Sequence, residues 1–382
     1  MVCSDCMLLV SSSSAKLQAR LRSAPPAETS FVAVSTIIMR LTSFGTLLAA
    51  TTSPPLRACL HASARARQDA RPKAKQSLGQ NFLVDPALQQ GIVDGLADGA
   101  LTPASLDDGH RVVEFGPGQG ALTGRLLASY PRMTAVEIDQ RMTAVLRQEL
   151  PGLHDLREQD MMELDMAALA AEKGGRLSLV SNTPFYLTSP LLFKVLGGID
   201  SVERAVLTMQ QEVGDKVLSP HGCKQYGPLA VMLQLFASPE RLFDIPPDAF
   251  RPAPKCHVSV LRFHPSAVPL GSSAPLSPAQ RAQLLALIKL TFEQRRKMLR
   301  QTLKKLLPDA VTPPPADWLS LRPEQLEPAQ FVELAAMLFG EGDEGGGDAL
   351  LARAHTSDSW TAHKAGWVAK DARRVPVEVE EA

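Results

Sequence analysis

Short apolar runs alternate with helix-spaced segments from about residue 85 to residue 339, and this alternation predicts the fold. Arg111-Val112-Val113-Glu114-Phe115, Thr134-Ala135-Val136-Glu137-Ile138-Asp139, Leu153–Glu158 and Leu177-Ser178-Leu179-Val180 have strand length and end in turn residues. Asp85-Pro86 reads as the N-cap and first turn of a helix through Ala97, and Ala121–Ala128 reads as a helix opening from a Gly-rich turn. A helix from about Ser189 to Leu196, a strand near Ala205–Met209, a helical stretch Leu229–Phe236 and an alternating strand His257–Phe263 follow. Strand, Gly-rich turn and helix repeated in this order predict an α/β fold with a doubly wound, Rossmann-like sheet. Ser277-Pro278-Ala279-Gln280 is a capping box that predicts a helix to about Leu307, where Pro308 stops it. Trp318–Phe339 then predicts one or two short helices, which finish a smaller all-helical C-terminal domain.

Composition divides the chain further. The first ~72 residues are rich in Ser, Ala and Thr; they carry eight Lys and Arg residues between Lys16 and Arg71, against the acids Asp5, Glu28 and Asp69. That is the composition of an organelle transit peptide, for a mitochondrion or a plastid, with a nuclear or cytosolic extension as the alternative. The apolar pieces 31–39 and 41–50 are split by Arg40 and are too short to span a bilayer, so no membrane partner is expected. The predicted organisation is a leader over 1–72, a catalytic domain over 73–267, a helical nucleic-acid-binding domain over 268–340 and a disordered tail over 341–382. The 40 basic and 40 acidic residues cancel, so binding of nucleic acid must come from local patches. Five cysteines form no disulfide framework; the isolated Cys3-x-x-Cys6 lacks the second ligand pair of a zinc site, and no metal is expected.

The candidate chemistry sits at the predicted strand ends. Glu114-Phe115-Gly116-Pro117-Gly118-Gln119-Gly120 is the E-x-G-x-G-x-G form of a Gly-rich turn, which suits S-adenosylmethionine better than a dinucleotide because no pyrophosphate must be held. A carboxylate about 20 residues past the first Gly takes ribose hydroxyls; Glu137 fits, with Asp139 as runner-up and as a natural helix cap. Asp160, after the third strand, is placed to accept from an adenine amine, with Met161 beside the ring. The fourth strand delivers Asn182-Thr183-Pro184-Phe185. There an Asn side-chain oxygen and a backbone carbonyl of the Pro-stiffened turn can accept both hydrogens of an exocyclic amine while the aromatic stacks on its ring. Gln80–Leu83 reads as an arm closing over a cofactor or as a linker packed on the first helix, and taken alone the linker is the favoured reading. Phe250, in a loop with four nearby prolines, is either core or a second stacking wall. The basic run Arg295, Arg296, Lys297, Arg300, Lys304 and Lys305 suits phosphate contacts.

Together these motifs, with Gly79-Gln80-Asn81-Phe82-Leu83, Tyr226-Gly227-Pro228-Leu229 and Phe292-Glu293-Gln294-Arg295-Arg296-Lys297, closely resemble the ribosomal RNA small-subunit adenine dimethyltransferase family, the KsgA type. The resemblance covers about Lys75 to Phe339. It implies transfer of two methyl groups from S-adenosylmethionine to N6 of each of two adjacent adenines in a hairpin near the 3′ end of small-subunit rRNA, by a monomer working on the small ribosomal subunit or its precursor. It assigns Asn81, Leu83, Gly116, Glu137, Asp160 and Asn182 to the cofactor, and Asn182, Pro184 and Phe185 to the target base. Phe250, Arg295, Arg296 and Lys297 go to the RNA. Thr183 stands where the family usually has Leu, and Phe185 where Tyr is common. Mitochondrial relatives that serve as transcription factors supply an alternative role. A large-subunit, antibiotic-resistance type of adenine methylase and a nicotinamide oxidoreductase are more distant rivals.

Overall fold

A computed structural model describes residues 72–75, 78–97 and 108–340 of the 382-residue chain. The leader and tail expectations lie outside the described residues. The chain enters through a two-residue strand, β1 (Phe82–Leu83), and a helix, α1 (Pro86–Asp94). The Asp85 carboxylate accepts from the amides of Ala87 and Leu88, the N-cap bond that the Asp-Pro pair predicts.

Five parallel strands follow: β2 (Val112–Phe115), β3 (Thr134–Glu137), β4 (Asp155–Glu158), β5 (Leu177–Ser181) and β6 (Val202–Gln210). Helices α2 (Thr123–Ser129), α3 (Gln140–Glu149), α4 (Met166–Glu172) and α5 (Thr188–Gly197) make the crossovers. After β6 the chain forms α6 (Gln211–Leu218), α7 (Pro228–Phe236), the strand β7 (Glu240–Ile245), the short β8 (Phe250–Arg251) and β9 (Val258–Phe263). The seven-stranded sheet has the order β4-β3-β2-β5-β6-β9-β7, with β9 antiparallel to β6 and β7 antiparallel to β9. The chain departs from β2 to one side through β3 and β4, then returns to its other side as β5. That reversal opens a crevice at the carboxyl ends of the central strands, where open α/β sheets bind ligands.

Both sheet faces are covered, so the central strands β2 and β5 are buried at every position and mostly apolar rather than alternating. Val113, Phe115, Leu177 and Leu179 enter one core cluster; Val112, Ala135, Val180 and Val206 enter the other. The helices α4 and α6, the edge strand β7 and the short strands β1 and β8 were not read from the sequence. Strand β7 lies at the sheet edge, its residues are mostly half-buried or exposed, and its register slips between Arg241 and Phe243, which erases a clean period of two.

The helical region contains α8 (Pro278–Glu293), α9 (Leu299–Thr302), α10 (Ala316–Ser320) and α11 (Pro328–Phe339). The capping box is present: the Gln280 amide donates to Ser277 Oγ at 3.2 Å, and the Ser277 amide donates to Gln280 Oε1 at 2.9 Å. The predicted single helix to Leu307 is instead broken after Glu293. Residues 293–297 carry no apolar side chain to continue the buried stripe, and the Leu299 amide donates to the carbonyl of Leu321 at 2.8 Å. Good helix formers are here overridden by a tertiary bond. Helix α7 is buried around nearly its whole circumference and joins this region to the sheet in one hydrophobic cluster with Leu287, Ile288, Phe331 and Leu334. No helix among the described residues is long and apolar enough to cross a membrane.

Candidate active site

One cavity lies over the carboxyl ends of β2, β3 and β5. The Gly-rich turn forms its floor with Gly116, Pro117 and Gly118, and the Asn182–Leu187 turn forms one wall. Gly116 and Gly118 have φ of +65° and +55°, the left-handed region that glycine adopts without strain. A Cβ built on Gly116 would meet nothing closer than Met161 Cε at 3.5 Å, so space stands directly above the turn.

Residues Leu78–Leu83 close the cavity from above, which overturns their reading as a linker. The β1 strand pairs antiparallel with β8, Phe82 opposite Arg251 and Leu83 opposite Phe250. Gln80 Nε2 donates to Asp139 Oδ2 at 3.2 Å, and Gly79 packs under the ring of Tyr186. A local pattern of Gly, Gln and Asn carries no hydrophobic period, so only the long-range pairing with residue 250 reveals the strap. Phe250 is buried and also lines the cavity, so it serves as core and as wall.

The carboxylates divide their work. Glu137 is 5% exposed; its Oε2 accepts from the Gly118 amide and its Oε1 from the Asp139 amide, each at 2.9 Å. Each oxygen keeps a second acceptor site. Burial raises the Glu137 pKa and the Asp139 charge adds to the rise, with the backbone amides of Asp139, Gly118 and Ile138 pulling it down. Asp139, the runner-up, is occupied elsewhere. It caps α3 through the Arg141 amide and holds the Arg141 guanidinium at 2.6 Å, which lowers its pKa. Glu114, on the same side of β2 as Val112, lines the cavity at 1% exposure, and its Oε2 has no hydrogen-bond partner. Burial pushes its pKa up to about 8, with the Thr123 hydroxyl pulling the other way and Glu137 adding repulsion. Glu114 was not assigned a role from the sequence, where it reads as a strand residue before the turn.

Asn182 lies half-buried in the wall, and its amide is held at both ends. Its Nδ2 donates to the Asn81 carbonyl at 3.0 Å, and its Oδ1 accepts from the Thr208 hydroxyl at 3.0 Å. The Pro184 carbonyl already accepts from the Leu187 amide at 2.9 Å, leaving one lone pair. Phe185 is half-buried beside Tyr186, which is 42% exposed. Thr183 is buried with its hydroxyl unpartnered. Ile138, 53% exposed on the cavity, is an apolar wall that the sequence did not single out, because it falls between two acids.

Asn81, Leu83, Gly116, Glu137, Asn182, Pro184, Phe185 and Phe250 thus converge on one space. Asp160 stands outside the lining; its Oδ1 accepts from the Met162 amide at 2.8 Å, while Met161 reaches the cavity. Arg295, Arg296 and Lys297 lie apart in the turn after α8. Arg296 and Lys297 are exposed, but Arg295 is half-buried, ion-paired with Glu324 and donating to the Cys223 carbonyl. Among the described residues no group of three or more His, Cys, Asp or Glu could hold a metal ion.

The donor set fits S-adenosylmethionine. A ribose would find the two remaining acceptor sites of Glu137, and a cationic sulfonium amino acid would find the unpaired Glu114 oxygen above a floor kept open by glycine.

Comparison with known proteins agrees. Residues 71–319 match the family described as Ribosomal RNA adenine dimethylase. The "Ribosomal RNA small subunit methyltransferase A" of Salinibacter ruber is 44% identical over 273 residues, covering 71% of this chain and 87% of the relative. That of Bordetella petrii is 38% identical over 277 residues, covering 71% and 98%. A dimethyladenosine transferase from Plasmodium falciparum shares the fold with a TM-score of 0.52 at 19% identity, covering 66% of this chain and 95% of its own. The chain belongs to the ribosomal RNA adenine dimethylase family.

Proposed function

We propose that this chain is an S-adenosylmethionine-dependent rRNA adenine N6-dimethyltransferase that modifies two adjacent adenines in the 3′-terminal hairpin of small-subunit rRNA. The observation that carries the reading is the joining of the Gly116–Gly118 floor and the Asn182–Phe185 wall in a single cavity. When bound, S-adenosylmethionine supplies an electrophilic methyl group that needs no further activation.

The residues of the chain supply alignment. The second lone pair of Asn182 Oδ1 and that of the Pro184 carbonyl can each accept one hydrogen of an adenine amine. Holding both hydrogens turns the nitrogen lone pair out of the ring and toward the methyl donor. No general base is required, because the amine loses its proton only after it has become cationic. The target base must leave its stack at a cost of a few kcal/mol, and stacking on Phe185 returns about 1–3 kcal/mol. Exposed Arg296, Lys297, Arg300, Lys304 and Lys305 suit the phosphates of the hairpin.

The test is single-turnover methylation of small ribosomal subunits that lack the modification, with mono- and dimethyladenosine separated by mass spectrometry. Dimethylation at two adjacent adenines is expected, with Asn182→Ala slower by about ten- to a hundredfold. A wild-type enzyme that leaves the subunits unmodified while binding nucleic acid would refute the reading. The basic, acid-poor first 72 residues support import into a mitochondrion or plastid, and we infer that the chain works there as a monomer in ribosome assembly. A fusion lacking residues 1–70 that still enters an organelle would refute that part.

A further inference from the structure

We propose that Thr208 is a positioning residue for methyl transfer: its hydroxyl sets the side-chain amide of Asn182 in the orientation that presents an oxygen to the target amine. This rests on the reading of Asn182 given above, and it adds a residue on a neighbouring strand.

The geometry allows one solution. Thr208 lies in β6 within the run Ala205-Val206-Leu207-Thr208-Met209 and is fully buried. The β5–β6 ladder ends at Ser181 opposite Leu207. One residue further on, where the next rung would fall, the Thr208 side chain takes over. Its Oγ1 accepts from the Thr183 amide at 3.0 Å and lies 3.0 Å from Asn182 Oδ1. A backbone amide can only donate, so the Thr183 bond occupies a lone pair of the hydroxyl and leaves its single proton for Asn182. The other end of the Asn182 side chain faces the Asn81 carbonyl, which can only accept. Donor at one end and acceptor at the other select the same amide orientation. Reversing it would set Oδ1 against the Asn81 carbonyl, which cannot donate, and would leave the Thr208 proton facing Nδ2, which cannot accept.

By count, the held amide has one Oδ1 lone pair and one N–H remaining. The oxygen lone pair is the one assigned above to the amine. In this proposal the methyl group already transferred takes the place of the hydrogen that faced the Pro184 carbonyl, so the one N–H left is held by Asn182 Oδ1 alone and the second transfer depends on it more heavily than the first. Loss of the Thr208 hydroxyl therefore slows both transfers and the second more than the first.

The variants are Thr208→Val, which keeps the β-branched shape without the hydroxyl, and Thr208→Ser, which keeps the hydroxyl. Each is made alone, and Thr208→Val also with Asn182→Ala, in the full chain. In the single-turnover assay Thr208→Val is expected to lose about tenfold or more in rate and to accumulate monomethyladenosine, while Thr208→Ser regains most of the rate. In the Asn182→Ala background Thr208→Val should change the rate less than about threefold, as expected for a residue acting through Asn182. Equal losses in both backgrounds, or wild-type rate and product ratio in Thr208→Val, overturn the proposal. A second readout is independent of turnover. With selective labelling, the two Asn182 side-chain amide protons should give NMR signals that exchange slowly with solvent in the wild type and Thr208→Ser, and shifted signals that exchange faster in Thr208→Val. Unchanged signals in Thr208→Val also overturn it. An inactive wild type with the expected NMR difference would refute the proposed function and leave the positioning role standing.

Discussion

Replacing Glu137 by Ala removes two things that the structure keeps together. The first is structural: the carboxylate receives the amides of Gly118 and Asp139, both at 2.9 Å, in a site 5% exposed. Leaving a buried donor unpaired costs about 1–3 kcal/mol, so two orphaned amides cost about 2–6 kcal/mol. That is a large part of the ~5–15 kcal/mol that holds a typical domain together. The second is ligand binding through the remaining acceptor sites, where charge-assisted bonds contribute about 1.5–3 kcal/mol each and loss of even one lowers affinity about tenfold or more. Denaturant unfolding without cofactor should therefore show lower stability, and calorimetry below the unfolding transition should show weaker S-adenosylmethionine binding. Glu137→Gln, which retains one acceptor oxygen, should fall between the wild type and Glu137→Ala in stability. Unchanged apo stability in Glu137→Ala would refute the carboxylate's hold on the Gly-rich turn. Reduced stability with undiminished affinity would remove the ribose role and leave Glu137 as a brace alone.

Glu114 binds a proton more tightly in the folded protein, near pH 8, than at its ordinary value of 4.5, so the folded state loses stability as pH rises through that window, by up to about 1.4 kcal/mol per unit. Glu114→Gln should flatten the fall measured by thermal unfolding between pH 5.5 and 8.5, and an unchanged slope would reassign it. Gly118→Ala should weaken cofactor binding and expose the 78–83 segment to protease, because a side chain at φ +55° is strained and its Cβ would lie 3.0 Å from the Phe82 ring. Arg296→Glu with Lys297→Glu should weaken RNA binding and reduce its salt slope by about 0.7–0.9 per lost phosphate contact, with stability unchanged. Arg295→Glu should instead lower the unfolding temperature, since it sets two carboxylates together at Glu324.

Much of this site is legible in the sequence because parallel strands put chemistry at their ends. Gly116, Glu137 and Asn182 each follow an apolar run, and once the runs are aligned in a sheet their ends coincide. What the sequence withholds is contact between distant segments. Thr208 reads as one polar residue in a buried strand, and nothing local says that Asn182 stands opposite it. The strap at Leu78–Leu83 gains its order from Phe250, more than 160 residues away, and from Asp139. Arg295 reads as one of six basic residues, yet Glu324 takes it out of that set. The break after Glu293 is of the same kind, since residues of good helical propensity yield to a bond with Leu321.

The loop before α7 is tied to the helical region at several points. The Tyr226 hydroxyl donates to the Leu326 carbonyl at 3.1 Å, the Gly222 amide donates to the Glu324 carbonyl at 2.6 Å, and Arg295 clasps Glu324 beside Cys223. Tyr226, Phe292 and Phe331 pack ring to ring beneath these bonds. The cationic turn after α8 is therefore held in fixed register with the sheet that carries Asn182. If the turn holds phosphates and Asn182 holds the base, as in the proposed function, the two would act as the ends of a ruler, measuring an RNA by the separation between the phosphates it offers one end and the base it offers the other. Such a gauge would read folded shape in the substrate, and an adenine in a strand that could not span that interval would go untouched whatever its neighbours in sequence.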